Sequence, residues 1–389
     1  MIQAVLAGAV LAGLDAVEAA GGAPLRGRRV GLVAHAASVA LDGRHALDVL
    51  QARGALVSRL FAPEHGWRSR AAAGEAVADG REAGLPVVSL HGTRQAPTRE
   101  DLRGLDALVV DLQDAGVRFY TYASTLLLCF EAAADAGVEL VVLDRPNPLG
   151  GVLVEGPEAD ATTARSLLSL APGPLIHGLT LGELARLAAH RSPRPARVTV
   201  VPMRGWRRSM RWVDTGRVWT APSPNLRSSE AALVYPGTAL LEATSLSEGR
   251  GTETPFLLFG APGLDAVSLA RGVDAAAFGL SLELAEFTPR SGEADPAPKH
   301  RDALCHGLRL SVRSSEALRP YAFGLNLLRA ARAQRGFEWR GEGVALDALL
   351  GTRRVREALE RGESADAILA KDAAAVERFR RERERALLY

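Results

Sequence analysis

Cysteine is scarce. Cys129 and Cys305 are the only two in 389 residues and lie far apart, so neither a disulfide framework nor a cysteine-ligated zinc site is indicated. Lysine is as scarce, with Lys299 and Lys371 against a Lys+Arg total of 47. The basic charge is therefore almost wholly arginine, which reads as a composition bias and not as a phosphate-binding design. Excess charge of either sign is missing too: 47 basic against 45 acidic residues leaves +2 at pH 7, which argues against nucleic acid or an anionic membrane surface as partner. Residues 1–14 are apolar but too short to span a bilayer, and no Lys or Arg precedes Arg26, so the charged start of a signal peptide is absent. The expectation is a cytoplasmic protein without membrane insertion, a secreted or periplasmic location being the alternative.

Several motifs are missing as well. The first strand runs into His35-Ala36-Ala37-Ser38 instead of Gly-x-Gly-x-x-Gly, which argues against a dinucleotide cofactor. No Gly-Lys-Ser/Thr marks a P-loop, and no Gly-x-Ser-x-Gly elbow supplies a hydrolase nucleophile. No cofactor is expected.

What is present is a chain 47% hydrophobic and 24% charged, able to bury a large core and long enough for two domains. Apolar runs alternate with amphipathic stretches over the first half. Strands are expected at 30–34, at 55–60, at 86–90, at 105–110, at 138–143 and at 198–201, with a helix over 124–136 stopped by Gly137. Thr180 and Glu183 form a capping box before another helix, which makes Glu183 structural. This order predicts an α/β fold, a Rossmann-like doubly wound parallel sheet over residues 1–250. Beyond it the pattern changes to alternating strands and terminal helices, a smaller α+β domain over 251–389 closing a cleft.

Working groups in such a sheet belong at the carboxyl ends of the strands. Phe61-Ala62-Pro63-Glu64-His65-Gly66 places Glu64 and His65 on a turn bounded by Pro63 and Gly66. A carboxylate beside an imidazole suits proton transfer, particularly if burial raises the pKa of the Glu; capping by Glu64 and a satisfied turn histidine are the structural alternative. Asp111 and Asp114 end the fourth strand, and Asp144 and Asn147 the fifth. Those three aspartates suggest a Mg²⁺ site for a transfer enzyme, or loop capping and pairing with Arg118. The loop over 69–85 is long enough to form a lid or a site wall. Pro222-Ser223-Pro224-Asn225 and 246–253, with Glu248 and Arg250, are polar loops of the kind that carry function, and Lys299-His300 falls in another.

Five segments in this order, around Glu64, 111–122, 143–151, 222–225 and 247–252, resemble the NamZ-type exo-β-N-acetylmuramidases, also called the YbbC-like family. The likeness covers nearly the whole chain. It implies a Rossmann-like domain with a smaller α+β domain. It also implies removal of terminal, non-reducing N-acetylmuramic acid from peptidoglycan fragments, with Glu64 as the essential catalytic residue. Within that reading Glu64 is the general acid/base and His65 orients it or binds substrate. A second carboxylate, Asp111 or Asp114, or the substrate's own acetamido oxygen, takes the other role. Asp114, Asn147, Tyr120 or Tyr122 would orient the acetamide, with one of the two tyrosines packing inward. Arg118 or Arg250 would hold the lactyl carboxylate, unless Arg250 pairs internally with Glu248 or Glu253. Ser223, Asn225, Glu248 and His300 complete the expected contacts with a muropeptide oligosaccharide; the sequence does not set the oligomeric state. A carbohydrate-binding protein without turnover is the remaining alternative.

Overall fold

The computed structural model describes residues 8–161 and 166–389. Seven strands form one sheet in the order β3-β4-β2-β1-β5-β6-β7. They are β1 (Arg29–Ala34), β2 (Leu56–Ala62), β3 (Gly80–Glu82), β4 (Leu85–Ser89), β5 (Ala107–Asp111), β6 (Glu139–Leu143) and β7 (Val198–Val201). All pairings are parallel except that of β3 with β4. The period of two along each strand divides the core between two faces. Val30, Leu32, Ala107 and Val109 pack with Leu14, Val17, Leu47 and Leu50 of the helices Gly13–Ala19 and Ala46–Ala52. Val33, Leu108, Val110 and Val142 pack instead with Leu126, Phe130 and Leu184, from the helices Tyr122–Ala136 and Leu181–Arg191. Helices on both faces of a parallel sheet make the doubly wound architecture expected from the alternation. The chain steps outward from β1 to β2 and β4, then returns to the other side of β1 with β5. The crevice at this reversal, beyond the carboxyl ends of the strands, is the usual ligand site.

The second part is built on a three-stranded antiparallel sheet, β8 (Leu258–Ala261), β9 (Leu280–Phe287) and β10 (Cys305–Val312), ordered β8-β10-β9. Its helix Pro320–Arg332 crosses the helix Ser229–Thr238 at glycines: a Cβ on Gly237 would stand 2.1 Å from the Pro320 carbonyl oxygen. One apolar cluster runs from Val110 and Ile176 through Tyr235 to Phe323 and Ile368, so both parts share a core. The carboxyl-terminal helix Ala365–Arg383 returns to the first part, where Arg383 donates to the carbonyls of His177 and Gly178 at 3.0 and 2.7 Å. The Tyr389 hydroxyl donates to Asp144 Oδ2 at 2.8 Å. Among the described residues no helix is long and apolar enough to cross a membrane.

Candidate active site

A cavity of about 750 Å³ opens where the carboxyl rim of the large sheet meets the second part, with Glu64 in its wall. Strand β2 ends at Ala62 because Pro63 has no amide hydrogen for the ladder. The chain then turns through two left-handed residues, His65 at φ 69° and Gly66 at φ 77°, and the Gly66 amide donates to the Pro63 carbonyl at 3.0 Å. Glu64 is 8% exposed. Its Oε2 accepts from the Thr121 hydroxyl at 2.6 Å and its Oε1 from the Gly74 amide at 2.8 Å. His91 Nε2 stands 3.9 Å from Oε1. Burial pushes this carboxyl upward, but His65, the Thr121 and Gly74 donors and His91 outweigh it, and the net direction is below the usual range. The upward push of burial that would suit a resting proton donor is present but does not prevail, and Glu64 rests as a carboxylate. His65 also lines the cavity, with Nδ1 2.8 Å from the Ala71 carbonyl. Burial lowers its pKa against the pull of Glu64 and Ala71, so the ring rests neutral.

Tyr120 and Tyr122 divide as their spacing of two suggested. Tyr122 packs inward, and its hydroxyl donates to the carbonyls of Glu64 at 3.2 Å and Pro222 at 2.8 Å, bracing the Glu64 turn against the 222–225 loop. Tyr120 lines the cavity with its hydroxyl beside those of Ser223 and Tyr122; burial drives its pKa far up, and Ser223 offsets this only in part. Ser223 and Asn225 share that wall. Asn225 Nδ2 donates to the Ala294 carbonyl at 2.9 Å, while its Oδ1 has no partner among the described residues.

Across the cavity stands a charge-balanced cluster. Arg250 reaches Glu242 at 2.9 Å and Glu248 at 3.2 Å, its guanidinium 5.3 Å from the centre of the Phe256 ring. Glu248 also pairs with Lys299 at 2.8 Å. Lys299 Nζ donates to the carbonyls of Leu241 at 2.7 Å, Thr244 at 3.0 Å and Leu246. Burial alone would raise the Glu248 carboxyl, but Lys299 and Arg250 hold it below the usual range.

Residues 30–230 match the family described as exo-beta-N-acetylmuramidase NamZ, N-terminal, and residues 233–389 match its C-terminal counterpart. The peptidoglycan beta-N-acetylmuramidase NamZ of Bacillus subtilis is 37% identical over 371 residues, covering 94% of this chain and 88% of that protein. The chain belongs to the NamZ family. Two crystal structures of DUF1343 family proteins from Bacteroides fragilis share its fold. One superposes with a TM-score of 0.86 at 28% identity, covering 98% of this chain and 99% of that one. The other gives 0.78 at 31% identity, with the same coverage.

In this NamZ-family chain several expected contacts fall outside the cavity wall. Asp111 is fully buried and held by both arms of Arg145, with Nη2 to Oδ2 at 2.8 Å, because a carboxylate at a strand end inside the core requires a counter-ion. Arg118 is fully buried as well and donates to the carbonyls of Pro157 at 2.8 Å, Gly173 at 2.9 Å and Leu350. Asn147 closes its own loop, donating to the Leu179 carbonyl and accepting from the Leu149 amide, each at 2.9 Å. His300 Nε2 lies 2.6 Å from the Ser245 carbonyl, and it is the neighbouring Lys299 that reaches the cavity. Asp114 lies behind the wall. Its Oδ2 accepts from the Gly116 amide at 2.7 Å, its Oδ1 has no partner among the described residues, and burial pushes its pKa up to about 7.

The three aspartates suggested for a metal diverge, since Asp144 is spent on the Thr180 hydroxyl at 2.7 Å and the Gly182 amide at 2.8 Å. Among the described residues no cluster of three or more His, Cys, Asp or Glu is arranged to hold a metal ion. Thr121, His91, Glu242, Trp339 and Arg340 were missed. Thr121 sits inside the motif that carried the resemblance and had a signal; Trp339 and Arg340 arrive from far along the chain and had none. Lys299 had one of its own, as one of two lysines in an arginine-rich chain. Three carbonyls converging on one point suit a rotatable ammonium better than a planar guanidinium.

Proposed function

We propose that this chain is an exo-acting glycoside hydrolase that releases terminal, non-reducing N-acetylmuramic acid from peptidoglycan fragments, with Glu64 moving the proton. The NamZ relationship supports this activity, and the observation that carries it to a residue is the Glu64 carboxylate in the cavity wall, held by two hydrogen bonds and without an Arg or Lys ion pair among the described residues. Glu242 and Glu248, by contrast, are neutralised by Arg250 and Lys299.

Glycoside hydrolysis needs a proton on the leaving oxygen and an electron-rich group at the anomeric carbon. Glu64 rests ionised, and its largest single influence is burial. A sugar that fills the cavity expels water and strengthens that influence, moving the carboxyl toward the protonated form that acts as general acid. Glu242, Glu248 and Asp111 are tied in ion pairs and Asp114 is not among the cavity-lining residues, which favours the substrate's acetamido oxygen for the second role. Asn225 Oδ1, buried without a partner among the described residues, and the Tyr120 hydroxyl are carried by side chains that line the cavity and are the groups that would orient the acetamide. After the aglycone leaves, Glu64 takes a proton from water as the water attacks the anomeric carbon.

Glu64→Gln tests the assignment. The variant should fold with wild-type melting behaviour and lose release of the chromophore from a chromogenic N-acetylmuramic acid glycoside by a factor of at least about 10². Turnover within a few-fold of wild type removes Glu64 from the proton-transfer role.

A further inference from the structure

A muramic acid differs from a glucosamine by a lactyl ether ending in a carboxylate, so a cavity selective for it needs a cation that is not already spent. Among the described residues, two arginines and one lysine line the cavity that contains Glu64: Arg250, Arg340 and Lys299. Arg250 is bound to Glu242 and Glu248, and Lys299 to Glu248 and three carbonyls. Two cations against two carboxylates leave that cluster neutral. Arg340 is exposed and forms no side-chain hydrogen bond or ion pair among the described residues, although Glu338 lines the same cavity and Glu342 lies two residues on.

The backbone that carries Arg340 is fixed on both sides. Before it, Trp339 bridges Thr244, the Ser245 amide donates to the Glu338 carbonyl at 2.9 Å, and the Glu338 amide donates to the Ser245 hydroxyl at 3.0 Å. Trp339 lines the cavity too, and its ring stands edge-on to Phe337 at 4.9 Å between centroids. After it, three successive residues are left-handed, Gly341 at φ 59°, Glu342 at φ 55° and Gly343 at φ 94°. A glutamate in that conformation is strained, and strain of this kind is kept where the surrounding structure needs the chain to take one path. The path holds residues 339 and 340 in the lining of the cavity that also contains Glu64.

We propose that Arg340 is the specificity-determining residue that reads the lactyl carboxylate of the terminal sugar, with Trp339 as the apolar surface beside it. This rests on the glycosidase reading above. The guanidinium offers a planar pair of donors to the two carboxylate oxygens, and the charge is unpaired until the substrate brings its own.

The test is a cycle of two proteins and two substrates. Wild type and Arg340→Met are compared on a chromogenic N-acetylmuramic acid glycoside and on its lactyl methyl ester. Wild type should prefer the free acid, and the variant should lose kcat/KM on the acid by roughly 10- to 100-fold while changing little on the ester. Arg340→Lys should recover part of the loss. Equal losses on acid and ester, or no loss on either, overturn the assignment. The same cycle is run without turnover by calorimetry, with free N-acetylmuramic acid and N-acetylglucosamine as probes. A chain that binds muramic acid through Arg340 but cleaves neither glycoside supports the inference and defeats the glycosidase reading; a chain that cleaves with an unchanged acid preference in the variant does the reverse.

Discussion

At the scale of single residues the site is a set of opposed influences on one carboxyl. Burial favours protonated Glu64, while His65, Thr121, Gly74 and His91 favour the ionised form and prevail. Thr121 precedes the helix Tyr122–Ala136 at the position that usually caps, yet its side chain makes no capping bond and donates to Glu64 instead. Removing a donor to the ionised form raises a carboxyl's pKa. If protonated Glu64 delivers the proton, Thr121→Val should move the high-pH limb of the kcat/KM profile upward, by up to about one unit, with KM little changed. A limb that stays in place or moves downward contradicts this assignment of the proton.

At the scale of elements most of the large sheet was legible, because parallel strands buried on both faces are nearly continuous apolar runs, as in the Ala-Leu-Val-Val of β5. The Glu64 turn was legible for a different reason: Pro63 and Gly66 bracket it in sequence. Strand β3 is short and lies inside the Gly- and Ala-rich stretch over 69–85, so it gives no period. That loop does form site wall, through Ala72, Ala73 and Gly74. The helix Ser229–Thr238 has Pro236 and Gly237 inside it, and tertiary packing against Pro320–Arg332 overrides their local preference. What could not be read was which polar residue of a motif faces inward. Tyr120 and Tyr122 share one motif, and Lys299 and His300 are adjacent, but the choice between members depends on carbonyls and rings brought from elsewhere in the chain.

At the scale of the whole molecule the parts are joined by arginines bonded to carbonyls as well as by the shared core. Arg118 ties the loop after β5 to Pro157, Gly173 and Leu350, and burial lowers its pKa to about 10 without freeing it of charge. Its substitution should therefore be felt as stability and not as selectivity. Arg118→Met leaves three buried carbonyls without donors and is expected to cost about 2–4 kcal/mol in thermal or denaturant unfolding, with the acid-over-ester preference of the surviving enzyme unchanged. Unaltered stability with a selective loss toward muramic acid substrates would return Arg118 to the substrate.

Cleavage of a terminal muramic acid through Glu64, in the cavity between the two parts, is what every other role proposed for the site presupposes. The direct measurement is proton NMR of the disaccharide N-acetylmuramyl-β-1,4-N-acetylglucosamine during incubation with wild type and with Glu64→Gln. The expected result is stoichiometric appearance of free N-acetylmuramic acid and N-acetylglucosamine with wild type only, the first muramic anomer to appear being β, since attack assisted by the acetamido group retains configuration. No release by wild type, or equal release by the variant, would contradict it.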